Sequence, residues 1–294
     1  MTEDQPAFAD RELDEFMATL ATMPPMTASG DVTELRRVTA ERSAQRPPGP
    51  ALNTQSILVG AIDTRLYRPE PAVDGIVVFL HGGGWTIGDL DTHDRACRRL
   101  AARSHVPVLA VDYRLAPEHP APAAVDDAIA VLDWLATGPV ALGRRPAVTV
   151  IAGDSAGGTL AVLAALARRD SEAAADAVVM VYANTHLAAA DGSMVAFAHG
   201  FGLDIDDIHW FNSNWVPDSA RWSDPDVSPL TVADLTGLPE IVVVTCEFDP
   251  LRDEGAAYAA AMSAAGVDAR HLPCPGQIHS SVPMVGVILS AEGA

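Results

Sequence analysis

The spacing of apolar residues along this chain changes near residue 50. Between residues 10 and 23 the apolar positions recur at helical intervals, at Leu13, Phe16, Met17 and Leu20. A second helix is predicted to begin at Asp31, with Glu34 as its capping-box partner. The segment Pro47-Pro48-Gly49-Pro50 then breaks the pattern. Residues 1–45 are therefore expected to form a small helical appendage that packs on a larger body.

From residue 54 onward the pattern predicts strands that alternate with helices. Segments 55–59 and 62–68 are expected to pair antiparallel at one edge of a sheet. Five apolar runs follow, at Ile76–Leu80, Val106–Val111, Val148–Ala152, Ala177–Val181 and Ile241–Val244, and a last strand is expected over 268–274. Helical stretches are predicted at about 91–104, 121–136, 155–169 and 252–265. Strands that are apolar on both faces and alternate with helices indicate a mostly parallel α/β sheet covered on both sides.

One insertion, residues 184–222, interrupts this alternation and is rich in aromatic residues. It contains six of the sixteen aromatic side chains, among them Trp210 and Trp215, together with three histidines. Most of these aromatic residues are expected to form a satellite core. The other interpretation is a lid that contributes walls to a pocket, since long insertions often serve as active-site lids. Trp85, Trp210 and Trp215 are accordingly the candidate substrate-binding residues.

Composition narrows the class of protein. The 294 residues, 49% of them hydrophobic, fit one α/β domain with an accessory cap. The formal net charge of −20 argues against nucleic acid or an anionic membrane surface as a partner. The acidic N-terminus lacks the apolar stretch of a signal peptide, and no apolar run approaches the ~18 residues of a membrane span. A cytoplasmic location is expected.

The three cysteines do not point to a metal or a disulfide. Cys97, Cys246 and Cys274 are odd in number and lack Cys-x-x-Cys spacing, so they support neither a disulfide framework nor a zinc site. Small core residues in a reducing compartment are the favoured interpretation. No metal and no cofactor is expected.

The most informative stretch is Gly153-Asp154-Ser155-Ala156-Gly157-Gly158, between a predicted strand and a predicted helix. A serine between glycines at a strand-to-helix turn is typical of a nucleophile elbow of the G-x-S-x-G type. The glycines allow a crowded turn that exposes the serine hydroxyl above the sheet. The competing interpretation is that Ser155 only caps the following helix.

A second glycine-rich stretch, His81-Gly82-Gly83-Gly84-Trp85, follows the first apolar run. Three glycines after a strand pack no side chains, but they allow backbone N–H groups to hold a developing negative charge. A phosphate loop is the alternative, yet the segment lacks the Lys-Ser/Thr of a P-loop and the spacing of G-x-G-x-x-G. His81 is expected to brace the loop.

An acid and a base are expected late in the chain. Asp249 lies just beyond a predicted strand, and His279 follows the predicted last strand. The order Ser, Asp, His is that of the α/β-hydrolase triad and differs from the orders in chymotrypsin and subtilisin. Glu247 and Asp253 are rivals for the acid. His271 is the rival for the base, although its place inside a strand makes the loop residue His279 the better candidate.

Four stretches of this chain resemble the hormone-sensitive lipase branch of the α/β hydrolases, the bacterial family IV esterases. They are His81–Trp85, Asp112-Tyr113-Arg114-Leu115-Ala116-Pro117-Glu118-His119-Pro120, Gly153–Gly158 and Glu247–Glu254. The resemblance covers about residues 54–284. It implies an eight-stranded, mostly parallel sheet flanked by helices. It also implies that residues 1–45 form cap helices and that residues 46–294 form the hydrolase domain, with a cap insertion at about 184–222.

The resemblance also implies roles for individual residues. Ser155 would be the nucleophile, His279 the general base and then acid, and Asp249 the residue that orients the imidazole. The N–H groups of Gly83, Gly84 and Ala156 would form the oxyanion hole. An acyl-Ser155 ester would form and then be hydrolysed by water that His279 activates.

The substrate is expected to be a short-acyl ester, with acetyl the favoured acyl group, or an N-acetyl amide. Residues 16–25 and 35–42 also resemble the actinomycete acetyl-hydrolases that deacetylate N-acetylated phosphinothricin tripeptides in antibiotic biosynthesis. A different class, a ligand-binding protein on a hydrolase fold, is disfavoured because Ser155, Asp249 and His279 are all present. The expected partner is a small ester or N-acetyl peptide, and the sequence allows a monomer or a homodimer.

Overall fold

The computed structural model describes residues 11–22 and 25–284, and its centre is one eight-stranded sheet. The strands are β1 (Asn53–Val59), β2 (Ile62–Arg68), β3 (Ile76–Leu80), β4 (Val108–Val111), β5 (Thr149–Asp154), β6 (Ala177–Val181), β7 (Glu240–Phe248) and β8 (Ala269–Ile278). They lie in the order β1-β2-β4-β3-β5-β6-β7-β8. The pairs β1/β2 and β2/β4 are antiparallel, and every other pair is parallel. The predicted fold class is therefore confirmed.

Helices cover both faces of this sheet. They are α1 (Arg11–Leu20), α2 (Val32–Ala44), α3 (Asp94–Ser104), α4 (Ala123–Ala136), α5 (Ala156–Arg168), α6 (Ser193–Ala196), α7 (Ile205–Trp215), α8 (Arg252–Ala264) and α9 (Ser281–Met284). Every residue of β3 and β4 is buried, as a strand covered on both faces requires. The first ten residues of α5 are also all buried, so the helix that follows Ser155 lies inside the protein.

The end of the last strand differs from the predicted one in a way that bears on the candidate site. The last strand, β8, runs to Ile278 instead of residue 274, although Pro273, Pro275 and Gly276 signal a break. Because β8 is an edge strand, its prolines need not donate to a neighbour, and the strand continues through them. His279 therefore follows the strand directly.

The predicted capping box at α2 is only half formed. The side chain of Asp31 accepts hydrogen bonds from the N–H groups of Thr33 and Glu34, as predicted for an N-cap. The carboxylate of Glu34 does not reciprocate but binds the guanidinium of Arg37 one turn later. An arginine three residues away offers a charged partner that competes with the backbone N–H.

The N-terminal helices pack against the insertion that follows β6. Leu13 and Met17 of α1 form a cluster with Phe248 and Ile278, and Phe197 and Phe201 of the insertion pack against it. The N–H and hydroxyl of Thr27 both bind the carboxylate of Asp207 in α7, the hydroxyl at 2.7 Å. We propose that the N-terminal helices and residues 184–222 act as one cap over the hydrolase domain. Among the described helices, none is both long and apolar enough to span a membrane.

Candidate active site

Ser155 lies at the sharp turn between β5 and α5. Its backbone has φ 53°, a left-handed conformation that a serine adopts only under constraint. A methyl group at Gly153 or Gly157 would overlap the backbone of the turn or of Leu80, so both flanking positions require glycine. The side chain of Ser155 makes no hydrogen bond that caps α5. Helix capping therefore does not explain this serine.

Ser155, His279 and Asp249 form one hydrogen-bonded chain. The Oγ of Ser155 lies 2.9 Å from Nε2 of His279, and Nδ1 of the same ring lies 2.9 Å from Oδ2 of Asp249. A carboxylate can only accept, so Nδ1 carries the proton and Nε2 is free to accept from the serine hydroxyl. Asp249 is fully buried, and its other oxygen accepts the N–H of Leu251 at 2.8 Å. Both carboxylate oxygens are thereby held in place.

The rival residues lie elsewhere. The carboxylate of Glu247 accepts the N–H of Gly276 at 2.7 Å. That of Asp253 binds the N–H of Ser193 and the guanidinium of Arg252. His271 points across the sheet, where its Nε2 lies 2.8 Å from the hydroxyl of Thr245 on β7. None of the three contacts Ser155 or His279.

The backbone of the glycine-rich loop faces the same serine. Gly83, Gly84 and Ala156 line one cavity with Ser155 and His279. Within residues 11–22 and 25–284, the N–H groups of Gly83 and Gly84 donate no hydrogen bond, and neither does that of Ala156, the first residue of α5. Three unpaired N–H donors beside Ser155, one of them at the N-terminus of α5, can hold an anionic oxygen.

Asp154 holds this loop, and the sequence reasoning missed it. Its Oδ1 accepts the N–H of Gly82 at 2.9 Å, and the ring of His93 lies 3.5 Å away. Burial alone would raise the pKa of Asp154, but His93 and the N–H of Gly82 keep the pKa below its usual value. The signal available in the sequence was its place directly before Ser155. A buried carboxylate there ties the nucleophile turn to the loop that carries Gly83 and Gly84.

His81 lies in the position expected for a brace. Its ring stacks on Tyr113 with centroids 4.3 Å apart, and its Nδ1 lies 2.8 Å from the carbonyl oxygen of Gly82. Burial, together with the nearby His93, lowers the pKa of His81 to about 4. The ring is therefore neutral near pH 7 and donates to that carbonyl.

The cavity has a volume of about 220 Å³ and two unlike walls. One wall is apolar and comes from Leu203, Ile208, Phe211 and Leu251. The other comes from α2 and its end and is formed by Thr39, Arg42, Ser43 and Arg46. Among the described residues no group of three or more His, Cys, Asp or Glu side chains could hold a metal ion.

The tryptophans depart from the sequence expectation. Trp85 lines the cavity, but Trp210 and Trp215 do not. Trp215 is fully buried and stacks on Trp85 with ring centroids 4.0 Å apart, so it supports the wall from behind. Trp210 packs against the cluster of Leu35, Ile87 and Phe211, away from the cavity lining. The helical turn of α7 directs Phe211, the residue next to Trp210, into the cavity.

Glu254, in the first turn of α8 and five residues after Asp249, is a buried carboxyl that joins the insertion to this helix. Its Oε1 accepts the N–H groups of Thr185 at 2.5 Å and of His186 at 3.2 Å, while its Oε2 has no partner among the described residues. Burial raises the pKa of Glu254 to about 8 in spite of these donors. The unfolded chain releases this proton near pH 4.5, its ordinary value.

Glu254→Gln is expected to flatten the dependence of stability on pH. Between pH 4.5 and about 8 the folded state holds a proton that the unfolded state has lost, so the free energy of unfolding falls as pH rises. Glutamine keeps an acceptor for both N–H groups and cannot ionise. Urea unfolding at several pH values across this window measures the difference. Glu247→Gln is the control, and an equal pH slope in wild type and Glu254→Gln would contradict the prediction.

Comparison with known proteins places this geometry in context. A family model for the alpha/beta hydrolase fold matches residues 77–282. The chain is 43% identical over 235 residues to the carboxylic ester hydrolase LipN of Mycobacterium tuberculosis; the match covers 76% of the chain but only 60% of LipN. It is 38% identical to the carboxylesterase NlhH of the same species, over 100% of the chain and 96% of NlhH.

Two further proteins extend the comparison. The ethyl acetate hydrolase of Pseudomonas putida is 36% identical, over 79% of the chain and 74% of that enzyme. The solved structure of a hyperthermophilic esterase from the archaeon Pyrobaculum calidifontis superposes with a TM-score of 0.86 at 33% identity. That superposition covers 98% of the chain and 95% of the esterase.

Proposed function

The chain belongs to the α/β hydrolases of the hormone-sensitive lipase branch, and we propose that it is a serine carboxylesterase for short-acyl, chiefly acetyl, esters. The observation that carries this proposal is the chain of hydrogen bonds from Ser155 through His279 to Asp249 at the wall of a small cavity. It supplies a nucleophile, a base and a residue that orients the base, which together suffice for acyl transfer.

In the first half of the reaction, Ser155 attacks the carbonyl carbon of the ester. Nε2 of His279 takes the hydroxyl proton, and Asp249 stabilises the imidazolium that results. The N–H groups of Gly83, Gly84 and Ala156 hold the oxygen that becomes negative. When the tetrahedral intermediate collapses, His279 returns its proton to the departing alcohol, and an acyl-Ser155 ester remains.

The second half repeats these steps with water as the nucleophile. His279 takes a proton from water, which attacks the acyl carbon, and the same three N–H groups hold the oxygen. Collapse of this intermediate returns the proton to Ser155 and releases the acid. Asp249 keeps the imidazole in one tautomer throughout, so the base can act in both halves.

The size of the cavity favours a small acyl group. Its volume of about 220 Å³ lies below the ~300–1,000 Å³ usual for ligand pockets. Ile208 and Phe211 limit its apolar side, and both are nearly fully buried. The similarity to an ethyl acetate hydrolase further supports acetyl esters over N-acetyl amides.

A series of p-nitrophenyl esters from acetyl to decanoyl tests the acyl specificity. We expect kcat/KM to be highest for the shortest acyl groups and to fall at least about tenfold by octanoyl, because extra methylenes must displace buried walls. Ile208→Ala should move the optimum to longer chains, whereas Val195→Ala, at an exposed position of α6, should not.

Two outcomes would contradict this proposal. A profile that peaks at decanoyl would mean that the apolar wall does not limit the acyl chain. A kcat/KM for an N-acetyl peptide above that for phenyl acetate, after correction for their intrinsic reactivities, would favour amide hydrolysis. Amide cleavage asks more of His279, which must protonate a poor amine leaving group before it departs.

A further inference from the structure

The arginines of α2 and its C-terminal end fall into two groups. Arg36 binds the carboxylate of Glu118 at 2.8 Å, and Arg37 binds those of Glu34 and Glu41. Arg42 and Arg46 form no ion pair with any carboxylate of the described chain, although the protein carries 39 acidic residues. Arg68, Arg95 and Arg145 likewise bind backbone carbonyl oxygens and no carboxylate. What distinguishes Arg42 and Arg46 is therefore their place in the structure.

These two arginines line the cavity that contains Ser155. The cavity-lining residues of α2 and its end follow the spacing i, i+3, i+4, i+7 and therefore lie on one face. They are Thr39, Arg42, Ser43 and Arg46. The hydroxyl of Ser43 donates to the carbonyl oxygen of Thr92, so the charged donors of this face are the two guanidinium groups, in contrast to the apolar residues that also line the cavity. Guanidinium groups bind carboxylates through paired N–H donors, which makes this wall suited to a planar anion.

Arg46 places this polar wall next to the segment that follows His279. Its Nη1 donates to the carbonyl oxygen of Pro283 at 2.9 Å, and Ser280 and Pro283 line the cavity as well. Nε2 of His279 is the atom that protonates the leaving alcohol in the proposed reaction. This adjacency to the residues after His279 favours the leaving-group side for the polar wall.

The positive charges at this wall repel one another. Burial lowers the pKa of Arg46, and the nearby Arg42 lowers it further. Arg95 of α3 is buried behind them, its pKa lowered by burial and by Arg46, and its Nη1 has no hydrogen-bond partner among the described residues. Arg42 is itself exposed, and a bound anion would relieve this repulsion and replace the lost hydration of the Arg46 guanidinium.

We propose that Arg42 and Arg46 form a subsite for a carboxylate on the alcohol portion of the substrate. The inference rests on the proposed esterase function and names its substrate class as acetyl esters of hydroxy acids. Because the net charge of −20 repels anions at long range, the preference comes from contact in the cavity.

Two pairs of esters test the subsite. In the first pair, 3-acetoxypropanoate carries a carboxylate on the alcohol portion, and butyl acetate is its neutral counterpart. In the second pair, monomethyl succinate carries the carboxylate on the acyl portion, and methyl pentanoate is its neutral counterpart. The members of each pair have similar chain lengths, so the change in their kcat/KM ratio between wild type and a variant reports the effect of the charge.

Arg42→Gln and Arg46→Gln provide the variants, and Arg37→Gln is the matched control. All three remove one positive charge from the same region, but Arg37 faces Glu34 and Glu41 instead of the cavity. We expect Arg42→Gln and Arg46→Gln to lower the charged-to-neutral ratio of the first pair by about ten- to a hundredfold, mainly through KM. Arg37→Gln should leave this ratio unchanged.

The outcomes separate this inference from the proposed function. If butyl acetate is hydrolysed but the ratio is the same in wild type, Arg42→Gln and Arg37→Gln, the subsite is overturned and the esterase remains. If only the succinate pair responds, the carboxylate site on the alcohol side is overturned. If none of the four esters is hydrolysed, the proposed function is instead overturned. Because Arg46→Gln also loses the bond to Pro283, its rate on butyl acetate reports any disturbance of the His279 segment.

Discussion

Ser155→Ala is expected to fold normally and to lose esterase activity by a factor on the order of 10⁴ or more. Alanine removes the only atom of this residue that contacts Nε2 of His279, and no side-chain bond that caps α5 is lost with it. The three N–H groups proposed to hold the oxyanion remain, so a small residual rate over water is expected. Hydrolysis of p-nitrophenyl acetate, with circular dichroism to verify folding, measures both results.

Covalent labelling identifies the nucleophile independently of the rate. An organophosphate should modify wild type at one serine, and the modified peptide should contain Ser155. Ser193, which is buried and binds the carbonyl oxygen of Pro250, is a useful comparison because it lies within the cap. Labelling of any serine other than Ser155, or an active Ser155→Ala enzyme, would overturn the assignment of the nucleophile.

Asp249→Asn is expected to keep the fold and to lower kcat by about 10⁴, as the same change does in a serine protease. The amide can still receive the N–H of Leu251 through its oxygen, but its NH₂ group then faces Nδ1 of His279. The ring would have to accept at Nδ1 and carry its proton on Nε2. In that tautomer Nε2 cannot take the proton of Ser155, so the attack step is lost.

The neighbouring acids are the controls for this prediction. Glu247→Gln and Asp253→Asn change the other two candidate carboxylates, which contact Gly276 and Ser193 instead of His279. Both variants should retain most of the activity, and their small losses should follow loss of stability. If either variant were as impaired as Asp249→Asn, the acid of the triad would have been assigned to the wrong residue.

The local sequence was sufficient for the sheet, and it singled out Ser155, Asp249 and His279, which the fold brings into one hydrogen-bonded chain. Apolar runs with β-branched residues specify buried strands wherever they fall, and residues at the carboxyl ends of such strands share one edge of the sheet. The glycines that flank Ser155 indicate a crowded turn, and the structure gives the reason: a methyl group at either position would overlap the backbone of Leu80. The end of β8 was not predicted correctly, because proline breaks a central strand but is tolerated in an edge strand, and the sequence does not show that β8 lies at the edge.

Only the tertiary structure decided what faces the cavity. Composition pointed to Trp210 and Trp215, whereas the rotation of α7 turns Phe211 inward and the stacking on Trp85 buries Trp215. The helical spacing of Glu34 and Glu41 predicts the pairing of Arg37. Nothing in the sequence, however, separates Arg42 and Arg46 from Arg36, whose carboxylate partner is the distant Glu118. Strand patterns arise from short-range burial and can be read locally. The lining of a cavity depends on how distant helices dock, because successive side chains of a helix point about 100° apart and the docked orientation decides which of them faces inward.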